Sequence, residues 1–337
     1  MTISAGWFAA MRDKHMASKL PEPVIKMMSA RDHRLHHYLW HQVRNLWWEF
    51  SDPDKRKIST LGWEPPRKAR NAQLNPETGR RDPDYLNDSG EDFLYMHRVM
   101  IANVNEKLAE VGDPTYPKVV GRQNVPTSID AEFPVPPAWD TGDAGLNNTL
   151  NVVKSDQFYR AQVKPREGQF RDPGYLRTIN LGELGARIEF TVHNWMHLRF
   201  CSQVPAIRPD PDQFSTNIDP KWDSPAYDWL GDTYSSHVNP IFWKLHGWVD
   251  DRIEDWKAAN NVQVPIPWKG TWVGDMPAHP VKDSLHAMLT TPLPEGGLDD
   301  HHNHHHEGGD MAEVLKVIIR SGKRFHFYDD LLPQNGG

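Results

Sequence analysis

Six histidines of this chain stand at spacings that could hold metal. His37 and His41 lie four apart in HHYLWH (36–41), and His193 and His197 lie four apart in VHNWMH (192–197). Residues i and i+4 share one helix face a turn apart, so two imidazoles at that spacing converge on a point outside the helix. A third imidazole follows each pair: FLYMH ends at His97, 56 residues after His41, and FWKLH ends at His246, 49 residues after His197. This repeat of His-x-x-x-His and then Phe-x-x-x-His predicts two three-nitrogen sites, His37/His41/His97 and His193/His197/His246. Three imidazoles per ion without thiolate suit copper or zinc. Two copper ions among six neutral imidazoles can bind dioxygen between them, and with open positions the site becomes an oxidase.

Competing readings exist. His33 stands four before His37, so 33/37 is an alternative pair on that face. A chain with 18 histidines produces such spacings by chance. A single histidine on an apolar helix is more often a hydrogen-bonded core residue than a ligand. Two pairs with matching distal partners favour ligation, because six buried histidines without metal leave many ring nitrogens to satisfy. The all-histidine set argues against a di-iron bundle, which needs Glu and Glu-x-x-His.

Helices must position these side chains. Apolar periodicity predicts one or two helices over 23–50, broken by SDPDKRKIS, and further helices at about 91–110, 142–156, 180–201, 239–259 and 310–321. Glu91 and Asp92 suit the start of the second, and Pro240 suits a first helical position. Residues 60–90, 113–141, 204–224 and the stretch after 261 are rich in turn formers and read as loop. The fold class is mainly α with minor β: an antiparallel four-helix bundle core holding a dimetal site, with long irregular loops. One domain covers 1–337, with a helical core over about 23–260 and a loop-rich C-terminal cap over 261–337.

Composition narrows the rest. A formal net charge of −7 gives no footprint for nucleic acid. The single cysteine, Cys201, excludes a disulfide framework and a thiolate cage. No apolar run approaches the roughly 18 residues of a membrane helix. MTISAGWFAAMRDKH lacks a basic start followed by an apolar core, so no secretory signal is read and a cytoplasmic location is expected.

The ligand motifs resemble a known family. HHYLWH (36–41) is similar to the copper A helix of arthropod-type haemocyanins and phenoloxidases, HH-x-x-W-H. Its second and last histidines are ligands there, which implies His37 and His41. GEDFLYMHR (90–98) resembles that family's GE-x-F-x-x-x-H helix and implies His97. VHNWMH resembles the copper B stretch HNW-x-H and implies His193 and His197. NPIFWKLHGWVDDRIEDW (239–256) resembles DP-x-F-x-x-x-H-x-x-x-D, shared with tyrosinases, and implies His246. The resemblance covers roughly 33–110 and 180–258, and the additional terminal domains of arthropod haemocyanins have no counterpart in it. Asn239 stands where the family has Asp. Against tyrosinases the copper A half matches poorly, since no histidine lies between 41 and 97.

The resemblance implies a type-3 dicopper centre in a tyrosinase- or phenoloxidase-like monooxygenase or catechol oxidase. Its partners would be dioxygen and a small phenolic or catecholic aromatic. Haemocyanin-like cyclopenases of fungi imply an alternative: a zinc-dependent, non-oxidative lyase or hydrolase on the same scaffold. A non-catalytic oxygen- or metal-binding protein is the third reading. In tyrosinase-like enzymes an Asn after the first copper B ligand, with an acidic partner, positions a water that deprotonates the phenol. That role would fall to Asn194 and Glu189, although a surface salt bridge accounts for Glu189 equally well. Asp250, one turn after His246, is an expected acceptor for that ring, or else a partner of Arg252. Trp40, Trp195, Phe93 and Phe242 are expected to wall the site. HHNHHH (301–306) reads as a solvated loop with incidental metal affinity. His237 is a candidate for the site mouth.

Overall fold

A computed structural model describes residues 20–123, 133–203, 206–269, 272–274 and 309–328. Helix α1 (Glu22–Ser29) and helix α2 (Arg31–Leu46) are separated at Ala30, where the backbone extends (ψ 141°). The stretch expected to break the helix is itself α3 (Asp52–Thr60). Ser51 caps it by accepting the Asp54 N–H, Asp52 and Asp54 fill its first turn, and Pro53 sits where no N–H is needed. The proline and acids that look like a breaker are thus a helix start.

Helix α4 (Ser89–Val111) and helix α5 (Ala144–Lys154) follow the sequence expectation. An irregular helix over Asp156–Phe158, Tyr159–Val163 and Lys164–Gln169, and a short turn of helix at Pro173–Leu176, do not. The single helix expected over 180–201 is α6 (Leu181–Ile188) and α7 (Asn194–Phe200), joined by a wide π-helical turn at Glu189–His193. Thr191 Oγ1 donates to the Arg187 carbonyl within this turn at 2.5 Å, a local competitor for regular helix bonding. Helix α8 (Pro240–Ala259) starts at Asn239, whose side chain accepts the Ile241 N–H at 2.9 Å. Asn caps a helix as well as Asp does, so the departure at this position keeps the cap. Helix α9 spans Gly309–Ser321. Among the described residues β structure is one isolated bridge, Arg70 to Pro83.

Four elements enclose the core: α2, α4, α6–α7 and α8. Helix α2 runs against α6–α7, with Arg44 on Glu189 and His41 on His193. Helix α8 also runs against it, with Phe242 beside His197, His246 beside His193, and Trp256 Nε1 donating to the Ile179 carbonyl. Helix α4 lies alongside α6 in the same direction, with Gly90 against Gly185 and His97 against His193. That contact is backbone on backbone: a Cβ on Gly90 would meet Ala186 N and Gly182 O at 2.1 Å. Glycine is what lets α4 come close enough for His97 to reach the opposite helix.

Two segments from the expected cap return to the bundle. Lys269 N donates to Glu91, Trp272 N donates to Asp92, and Trp272 stacks on Trp40 with ring centres 5.8 Å apart. Helix α9 packs on α2 and α3. The chain after it is held by Gln42, whose amide donates to the Phe325 carbonyl at 3.0 Å and accepts the Phe325 N–H at 2.8 Å. No helix among the described residues is long and apolar enough to cross a membrane.

Candidate metal centre

The six predicted histidines form one buried cluster, none more than 2% exposed. His37, His41 and His97 bring one ring nitrogen each within 4.8 Å of one another. His97, His193 and His246 do the same, so His97 stands between the two halves. His197 joins the second half through His193, with their Nε2 atoms 3.1 Å apart. His33, one turn before His37, is not part of either group among the described residues. Histidines alone make up both groups, with no carboxylate in either.

Backbone carbonyls decide how the rings present their nitrogens. His97 Nδ1 lies 2.8 Å from the Phe93 carbonyl, and His246 Nδ1 lies 2.8 Å from the Phe242 carbonyl. This is the physical content of Phe-x-x-x-His. The carbonyl four residues back accepts the Nδ1–H, and the phenyl ring lies against the imidazole, at 4.6 Å for Phe93 and 3.6 Å for Phe242. His37 Nδ1 faces the Thr233 carbonyl at 2.6 Å, and His197 Nδ1 faces the Leu230 carbonyl at 2.8 Å. His193 Nδ1 faces Asn194 Oδ1 at 2.9 Å. An acceptor oxygen fixes the proton on Nδ1 and leaves Nε2 as a lone pair.

The consequence is sharpest in the second half. Nε2 of His193 lies 3.1 Å from Nε2 of both His197 and His246. With every Nδ1 proton committed to an oxygen, the His193 Nε2 lone pair faces those of both His197 and His246 with no proton to share. That arrangement is repulsive unless a cation sits among them. Imidazoles bound at about 2.0–2.1 Å to one tetrahedral ion hold their nitrogens roughly 3.3 Å apart, close to the observed spacing. In the first half, Nε2 of His37, Nε2 of His97 and both nitrogens of His41 have no partner among the described residues. Buried ring nitrogens in that state need a ligand. The donors present therefore fit metal.

Electrostatics agree with ligation by neutral rings. Burial holds His41, His97, His193, His197 and His246 well below the ordinary histidine range, and neighbouring histidines add to it. Burial lowers His37 to about 4, against the opposing pull of the Thr233 carbonyl.

The supporting residues land on particular partners. Asn194 orients His193. Glu189 is buried and ion-paired with Arg44, which also donates to the Ser89 carbonyl at 2.8 Å and lies over Trp40. Arg44 thus ties α2, α4 and the π-helical turn together beside the cluster. Asp250 does not hold His246, since it pairs with Arg98 at 2.6 Å and the Phe242 carbonyl has taken its expected place; Arg252 pairs with Asp255 instead. Phe93 and Phe242 do wall the site, and Trp40 edges both His41 and His97. Trp195 packs on Phe158. HHNHHH (301–306) lies outside the described residues.

Two features had no local signal, and a third lies elsewhere than expected. Phe327 stacks on His197, with ring centres 4.0 Å apart and planes at 13°, and Phe325 stacks parallel to His41. Both come from the far C-terminal segment. His237 lies not at a mouth but buried behind His37. The Leu230 and Thr233 carbonyls come from the loop before α8, where only the turn formers were legible.

No protein-family model matches the chain, and no curated protein matches it.

Proposed function

We propose that the cluster holds two metal ions, and that the protein is a copper-dependent oxidoreductase using dioxygen to hydroxylate or oxidise a small phenolic or catecholic aromatic. The observation that carries the metal reading is the approach of the His193 Nε2 lone pair to those of both His197 and His246. His37, His41 and His97 would hold one ion, and His193, His197 and His246 the other. The doubled motif, the all-imidazole donor set and the resemblance to type-3 proteins support copper. A copper pair would supply dioxygen binding and two-electron oxidation.

The chain's own residues do the rest. The carbonyls of Phe93, Leu230, Thr233 and Phe242 hold the Nδ1 protons and aim Nε2 inward. Burial excludes water and keeps the rings neutral. Asn194 holds His193, and Glu189 lies one turn earlier on the same helix. In this reading Glu189 accepts the phenolic proton through a water positioned with Asn194, exchanging part of its contact with Arg44 to do so. Glu189→Gln should then depress monophenol turnover more than tenfold and leave catechol oxidation within a few fold. Equal loss on both substrates contradicts the role.

A second reading has its own observation. Phe327 covers His197, and the cluster is closed in this conformation, which favours binding of dioxygen or metal without turnover. Loading with copper and with zinc separates the readings. A near-ultraviolet band on oxygenation with catechol turnover supports the oxidoreductase. The band without turnover supports a binder. Uptake of zinc alone moves a non-oxidative lyase or hydrolase forward.

A further inference from the structure

His237 is the seventh histidine at this cluster, and none of the motifs above includes it. It is fully buried on a short turn, Ser236–Val238, between α1, α2 and α8. Its Nε2 lies 3.1 Å from the Met28 carbonyl at the end of α1, so Nε2 carries a proton and Nδ1 is left as an acceptor. That Nδ1 lies 3.2 Å from Nδ1 of His37. His37 Nδ1 carries a proton because it also faces the Thr233 carbonyl. The two ring planes stand at 72° with their centres 4.9 Å apart. The backbone carbonyl of His237 is itself fixed by Trp243 Nε1 at 3.1 Å.

We propose that His237 is a positioning residue for the first metal site. It shares the His37 Nδ1 proton with Thr233, fixes that ring and strengthens Nε2 of His37 as a donor. The order of contacts is Met28 carbonyl, His237, His37, ion. A second-sphere acceptor of this kind is typically worth about 10- to 100-fold in metal affinity. The inference rests on the dimetal reading, and it separates His37 from the other five rings, none of which has an imidazole behind its Nδ1 among the described residues.

The test compares wild type, His237→Phe and His237→Gln as full-length chains in copper and zinc competition titrations against a chelator. His237→Phe keeps a flat ring and removes the acceptor. His237→Gln restores an acceptor oxygen. The expected result is that His237→Phe weakens one of two ions at least tenfold and leaves the other unchanged, while His237→Gln recovers most of the loss. Unchanged affinity for both ions in a folded His237→Phe protein overturns the proposal, as does equal weakening of both. Wild type that takes up no metal overturns the dimetal reading and this inference with it. A second measurement needs neither metal nor mutation. Imidazole 15N spectra of the metal-free wild type should show coupling across the hydrogen bond between Nδ1 of His37 and Nδ1 of His237. A His37 Nδ1–H with no coupling to His237 refutes the contact whatever the variants do.

Discussion

The two halves of the histidine cluster have the same motif and different support. In the second half each Nδ1 has an oxygen partner: Asn194 for His193, Leu230 for His197 and Phe242 for His246. Nε2 of His193 already lies 3.1 Å from Nε2 of both His197 and His246. In the first half His37 and His97 are held in the same way, but neither nitrogen of His41 has a partner among the described residues. His41 is placed by rings instead, stacked parallel to Phe325 on one side and His193 on the other. Phe325 is in turn clamped by Gln42, one residue beyond His41. In the second half every ring has an oxygen partner from its own helices or the loop before α8, and Phe327 of the C-terminal segment only adds a stack on His197. The first half depends on a segment delivered from nearly 300 residues away in sequence, 283 by the Gln42–Phe325 count. The lesson is that identical ligand spacing does not give identical preorganisation.

The comparison breaks most completely at His97, the ring that reaches both groups. His97→Ala should weaken both ions and reduce catechol turnover by at least about a thousandfold. Retention of one full-affinity ion, measured by metal analysis, would show that the halves are independent.

Acid probes both halves together. Above about pH 6.5 these rings are neutral in folded and unfolded chains, so they give no pH dependence. Between 6.5 and the lowered folded values, the unfolded chain binds protons that the folded chain refuses. Stability of the metal-free protein therefore falls as pH drops through that window. His37 alone, lowered to about 4, corresponds to about 3 kcal/mol lost between pH 6.5 and 4. Denaturant unfolding at pH 7.5, 6 and 5 measures this, and a flat profile contradicts neutral burial of the cluster.

Gly90→Ala tests the contact that brings the halves together. Its Cβ must displace backbone of α6, at a cost of about 2 kcal/mol or more. A lowered midpoint in denaturant is expected, with weakened metal uptake in both halves. Unchanged stability would mean that α4 and α6 yield easily.

The smallest effect sharpens the asymmetry. Chelator should remove the His37/His41/His97 ion first, with about tenfold weaker affinity than the other. Loss of both in one step contradicts the difference in support.

Much of this was readable from residue order. The four-residue spacing of the pairs, the distal Phe-x-x-x-His and the bounds of α4 and α8 follow from helical periodicity, which is local, and α1 and α2 lie inside a stretch legible as one or two helices. The carbonyl behind His97 and His246 was implicit in the same spacing. What sequence reading missed is either a misjudged local balance or a long-range meeting. SDPDKRKIS has the composition of a breaker, yet Ser51, Pro53 and the first-turn acids start a helix. Asp250 was one turn from His246, but Arg98 on α4 claims it. Phe325, Phe327 and the Thr233 carbonyl reach the site only through tertiary packing, and no local pattern marks them; His237, expected at the mouth, lies behind His37 instead.

On the proposed reading each histidine triad holds one ion. The direct test is metal content per chain for wild type, His41→Ala and His193→Ala, expressed with copper and zinc both available. Two ions are expected in wild type and one in each variant, with His41→Ala keeping the tighter ion. One ion in wild type, lost only with His193→Ala, would contradict it and leave α2 as a structural helix lined with histidine.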